Sequence, residues 1–175
     1  MKEILLMYAK YAKYANESVL EILDGLSAED RDKDRKSYFK SLSGLVTHVV
    51  GSALYFLGLF RASSPAAVQA LKGAEGLEVA EKDSLSAAEW SELKRACAIV
   101  DQATIGLIEK LSEEELAHPT PLDWYDGKPE AVPLCFLIHP AFVHETHHRG
   151  QISQLLDEMG IEHDFSSIDI EFLPN

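Results

Sequence analysis

Residues 134–159, LCFLIHPAFVHETHHRGQISQLLDEM, carry four of the seven histidines in a chain of 175 residues. Two of them, His144 and His148, stand four apart. At about 100° per residue, an i,i+4 pair on a helix projects in nearly one direction. Leu137, Ala141, His144, His148, Gln151, Ile152, Leu155 and Met159 then form one inward stripe. Two imidazoles on a buried stripe need partners, because an unpaired polar group inside a protein costs roughly 2–7 kcal/mol. A metal ion satisfies both at once. His147 falls toward the edge of the stripe, near Val143 and Gln154, which makes it a rim residue and His148 the ligand.

The rest of the chain has the size and composition of one soluble domain, residues 1–175, with 46% hydrophobic and 26% charged residues. The formal charge of −13 argues against nucleic acid and against an acidic membrane surface, and no basic run offers a local exception. The first residues, MKEILLMYAKYAKYANESV, are interrupted by Lys, Glu and Asn too often for a cleavable signal. The longest apolar run, Gly51 to Phe60, is too short for a bilayer span. Cys97 and Cys135 are far apart and read as reduced core residues, which points to the cytoplasm.

Hydrophobic periodicity predicts four long helices. Ile4, Tyr8, Ala12, Ala15, Val19 and Ile22 place the first over about 2–25, followed by a charged connector to about Lys36. The second is expected from Tyr38 to Phe60 and is apolar nearly all round, with His48 as its one imidazole. Val50, Leu54 and Leu57 point away from His48 with no polar stripe, so a homodimer is expected to cover them. A long connector with a short helix near Ala66–Leu71 leads to the third helix. Ser86 and Glu89 have the spacing of a capping box there, and the helix ends near Leu111. Four prolines lie between His118 and Pro133, with a hairpin turn at Leu122–Gly127. Pro133 fits the first turn of the last helix, Pro140 should kink it, and residues 165–174 should lie extended across the bundle. Such a pattern is an all-α, four-helix bundle with a small hairpin before its last helix; the long connectors permit a crossover.

His48 with the His144/His148 pair gives three imidazoles from two helices, the number found in open metal sites. Three separately hydrogen-bonded core or rim histidines would show the same spacing. Gln151 faces inward, where it can bond a ligand histidine's other nitrogen or act as a plain structural amide. Tyr55, about two turns beyond His48, either lines a pocket or sits in the core. Arg149 falls off the inner stripe and reads as a surface or subunit contact, and no inward carboxylate stands on the histidine-bearing stripes. Catalytic residues are therefore not assignable from the sequence.

The segment His144-Glu-Thr-His-His148-Arg-Gly-Gln151-Ile, followed by Leu155-Leu156 and Gly160, resembles the signature of the DinB/YfiT-like family. The resemblance runs over nearly the whole chain. Tyr11-Ala-Lys-Tyr14-Ala-Asn16-Glu is similar to the family's first-helix pattern and Leu45-Val-Thr-His48-Val-Val to its second-helix histidine segment. It implies a four-helix bundle, usually dimeric, with one divalent metal ion on His48, His144 and His148: zinc or nickel first, iron or manganese as alternatives. It also implies a metal-dependent enzyme. Related members include transferases and isomerases that take a low-molecular-weight thiol as co-substrate, and a hydrolase is a further option. The other reading is a stress-associated metal-binding protein in which the ion only clamps the bundle.

Overall fold

The structure, a computed structural model, describes residues 1–122 and 130–173. Its long helices are α1 (Lys2–Asp24), α3 (Leu42–Arg61), α5 (Ala87–Lys110) and α7 (Cys135–Glu158). Short helices α2 (Ala28–Asp32), α4 (Pro65–Ala70) and α6 (Glu113–Leu116) sit in the connectors. Strands β1 (Pro119–Leu122) and β2 (Glu130–Pro133) pair antiparallel ahead of α7. The hairpin turn expected around Asp126-Gly127 lies outside the described residues.

Each long helix forms where the apolar period predicts, and side-chain caps settle several boundaries. Ser86 and Glu89 make the reciprocal capping box at the start of α5. Ser41 caps α3, accepting from Gly44 N–H, so this helix begins at Leu42 and not at Tyr38. Tyr38 and Phe39 belong instead to a tight loop whose Lys36 and Lys40 have φ of 60° and 61°. Pro133 closes β2 rather than opening α7. Pro140 lies within a helix assigned without a break from Cys135 to Glu158; it and Phe136, whose carbonyl loses its bond, are both on the exposed side.

α1 neighbours α5 and α7, and α3 neighbours the same two from the opposite corner. Lys2 Nζ donates to carbonyls of Glu109 and Leu111, and Trp90 Nε1 donates to Asp24, so α1 and α5 run antiparallel. Tyr8 stacks on Phe142 while Asn16 meets Arg149, so α1 and α7 run parallel. Leu42, Leu45 and Val46 pack with Trp90 and Leu93, and Leu57 and Phe60 with Leu107 and Ile108, so α3 and α5 are parallel too. The order is up, down, down, up. Two consecutive parallel helices need a long return, which residues 62–86 supply.

The apolar character of α3 is absorbed by this arrangement. By length and composition alone the helix could cross a membrane, yet more than half of it is buried in the bundle. Val50 and Leu57 are buried within the protomer and Leu54 packs against both halves of the core. These three residues therefore pack within the protomer. The tail after α7 lies against α1 but is not extended throughout, since Ile170–Phe172 form a 3-10 turn: Tyr11 Oη donates to the Phe165 carbonyl at 2.9 Å, and Phe172 packs on Tyr11 and Tyr14.

Gly44 locks the 33–41 loop to α3. A Cβ at this position would stand 2.1 Å from the Phe39 carbonyl oxygen, a backbone atom that cannot swing aside. Gly44→Ala should cost about 1–3 kcal/mol by overpacking, read as a lowered urea midpoint with an unchanged slope.

Candidate metal centre

His48 comes from the second turn of α3, and His144 and His148 come from successive turns of α7, which runs antiparallel beside it. The three Nε2 atoms converge: His144 Nε2 is 3.3 Å from His48 Nε2 and 3.1 Å from His148 Nε2. Among the described residues these three form a group whose ligand atoms all lie within 4.8 Å of one another, and which can hold a metal ion. With Zn–N bonds of 2.0–2.1 Å, a tetrahedral site has nitrogens separated by about 3.3 Å. The observed separations match that edge.

The far sides of the rings show why Nε2 is the free atom. His48 Nδ1 lies 2.8 Å from Glu81 Oε1, and His148 Nδ1 lies 2.8 Å from Gln151 Oε1. A carboxylate and an amide oxygen can only accept, so in the neutral form of each ring Nδ1 carries the proton and the Nε2 lone pair points inward. His144 can offer a proton from Nε2 to only one of them, and its own Nδ1 is buried with no partner. Three nitrogens meeting with at most one proton among them is a poor hydrogen-bond network and a good ligand set. Burial, reinforced by the neighbouring imidazoles, lowers the His144 pKa to about 4. Burial lowers His148 as well, against the Gln151 bond. Both rings are neutral at neutral pH, the form that coordinates.

Glu81 was not legible in the sequence, where it stood in an irregular connector. The connector is stitched to α3: Ser41 Oγ donates to the Asp83 carbonyl and Thr47 Oγ1 to the Lys82 carbonyl. Phe39 is the other addition. Its ring lies 4.2 Å from the His48 ring and 5.2 Å, edge-on, from His148, screening one side of the site. His147 is exposed and edge-on to His148, at the rim. Tyr55 is 53% exposed and so is no core residue; its neighbour Phe56 is the ring that faces His144, 6.2 Å away.

Arg149 is 3% exposed and not a surface residue. Its Nη1 donates to Asn16 Oδ1 at 3.0 Å and to Glu145 Oε2 at 3.3 Å, and its guanidinium stacks over Tyr11. Asn16 Nδ2 in turn donates to Asp101 Oδ1 at 3.0 Å, and the Cys97 thiol lies 3.7 Å from Asp101 Oδ2. Inward carboxylates do exist away from the histidine stripe: Glu145 on the face of α7 turned to α1, and Asp101 on α5. The helical wheel placed Arg149 off the histidine stripe correctly, but in a bundle a second face of the last helix is also buried.

The sequence profile of the DinB family matches residues 1–166, and this chain belongs to that family. Its fold is similar to a DinB-like protein, YjoA, from Bacillus subtilis, with a TM-score of 0.61 and 21% identity over 91% of this chain and 97% of the other. A DinB-like protein from Bacillus cereus aligns with a TM-score of 0.55 and 19% identity, over 90% of this chain and 93% of the other. No curated protein matches the chain.

Burial, and then the Glu145 carboxylate, push Asp101 up to about 7. A group whose folded pKa lies above its unfolded value of 3.8 stabilises the fold fully below pH 4, and that contribution is lost as pH rises through 7. Asp101→Asn mimics the protonated acid. The unfolding free energy of wild type should therefore fall relative to the variant between pH 4 and 7, with a slope approaching about 1.4 kcal/mol per pH unit. Paired urea titrations read the difference, and parallel curves across that range would show that Asp101 is ionised throughout.

Proposed function

We propose that this DinB-family protein binds one divalent metal ion, zinc or nickel, through Nε2 of His48, His144 and His148, and serves as a metal-dependent enzyme of the thiol-using transferase or isomerase kind. The observation that carries the reading is the convergence of three imidazole Nε2 atoms, that of His144 lying 3.3 Å from His48 and 3.1 Å from His148. Three imidazoles suit borderline metals such as zinc and nickel better than magnesium or calcium, which prefer oxygen. Three protein ligands leave at least one coordination position for water or substrate.

A divalent ion at such a position lowers the pKa of a bound water or thiol, making the nucleophilic anion available at neutral pH. The chain's own groups have narrower tasks. Glu81 and Gln151 accept the Nδ1 protons of His48 and His148, which orients those rings and makes their Nε2 atoms stronger donors. Phe39 keeps water from one flank of the rings. His147 stands at the rim, edge-on to His148, where an entering ligand would meet it.

A second reading, in which the ion clamps α3 to α7 without turnover, is favoured by one fact: the candidate ligand group contains only the three histidines, with no carboxylate facing their Nε2 atoms among the described residues. Metal content of purified variants, measured by plasma mass spectrometry, tests the site common to both readings. Wild type should hold about one equivalent, His148→Ala should fall below about a tenth of that, and His147→Ala should keep it. Retention by His148→Ala together with loss in His147→Ala would mean that the wrong imidazole has been assigned. Turnover of an electrophile with a low-molecular-weight thiol, present in loaded wild type and absent from His148→Ala, separates enzyme from clamp.

A further inference from the structure

Between the 33–41 loop and the outer side of α7 lies a cleft of about 490 Å³, within the range of small-molecule sites. Phe39, Gln151 and His147 line it, and all three also touch the ligand histidine rings. Leu45 and Leu155 make its apolar wall, and His147 stands at its edge. Tyr38, 90% exposed, presents an uncovered aromatic ring at its mouth, edge-on to Phe39.

The cations of the cleft are unusual in a chain of net charge −13. Arg35 is half-buried in the wall, and among the described residues its guanidinium donates only to a backbone carbonyl, that of Asp30. No carboxylate lies within ion-pair distance of it among the described residues, and its Nε is buried without a partner. Lys36 pairs with Asp34 in a solvent-exposed contact, of the kind worth little. Among the described lining residues the one acidic group, Glu158, accepts from the Gln154 amide. The loop that presents these groups holds two non-glycine residues at positive φ, a conformation costing on the order of 1–3 kcal/mol each and found where function demands it. Gly44 fixes the loop in place.

We propose that this cleft binds a small organic anion with a planar apolar body, its charge on Arg35 and its body against Tyr38 and Phe39. An anion supplies the counter-charge Arg35 lacks, and a flat apolar group covers the exposed tyrosine ring. As the substrate subsite beside the histidines the cleft rests on the metal reading; as a binding site it does not.

Fluorescence titration with 8-anilino-1-naphthalenesulfonate, a planar anion, tests this on the full chain with and without chelator. Wild type should bind one equivalent saturably, and the uncharged analogue N-phenyl-1-naphthylamine at least tenfold more weakly. Arg35→Gln should weaken sulfonate binding at least tenfold. Tyr38→Ala, at a ring 90% exposed, should weaken it at least threefold with an unchanged unfolding midpoint. Equal binding of the neutral analogue, or wild-type affinity in both variants, would overturn the proposal. His144→Ala should keep the sulfonate site whatever its metal content, so the cleft and the metal centre stand or fall on different readings.

Discussion

The buried hydrogen bonds of Arg149 set the geometry on which the histidine centre depends. Glu145 and Arg149 each follow a histidine by one residue, so they point about 100° around α7 from His144 and His148. Pinning that face to Asn16 on α1, and through it to Asp101 on α5, turns the histidine face toward α3. An apolar face would pack almost equally well after a small rotation of the helix; bonds of 3.0–3.3 Å would not survive one. Charges taken out of water cost several kcal/mol each, and truncating one member of such a pair typically costs about 3–5 kcal/mol, since it strands the other. The arrangement is thus expensive to build and stiff once built.

Stiffness on α7 would be wasted if α3 could slide. The second histidine helix is held by different means: an apolar surface buried on several sides, a serine cap, and a connector bonded along its first turns. That connector exists because α3 and α5 run in the same direction. The chain must travel the length of the bundle between them, and on the way it lays Glu81 against His48. The up-down-down-up order is therefore part of the chemistry of the site, since a short turn between antiparallel helices would have no residue there.

The loop before α3 serves the site in a comparable way. Two lysines at positive φ, a glycine with no room for a Cβ and a capping serine hold Phe39 over the rings. Local strain is offset by the buried contacts of the helix that follows, so a rigid aromatic wall stands where a flexible connector would otherwise be.

Periodicity alone determined the four long helices, because a 3.6-residue apolar repeat over more than twenty residues has few other solutions. It also put His144 and His148 on one face, since i,i+4 spacing on a helix is local geometry. The resemblance to the family added His48, which spacing could only suggest. Gln151, one turn from His148, was within reach of the same local argument. What only the tertiary structure decided was everything joined across the fold: Glu81 to His48, Phe39 over the rings, and Asn16 and Asp101 behind Arg149. Arg149 was misplaced because a helical wheel shows which residues share a face but not how many faces are covered. The core reading of Tyr55 fails for the same reason, since a wheel does not show that its ring stays 53% exposed, and Val50 and Leu57 of α3 are buried in the protomer's own core. Contacts such as Glu81 to His48, 33 positions apart, and Asn16 to Arg149, 133 apart, depend on how helices are ordered and directed, and no periodicity within a single helix carries that information.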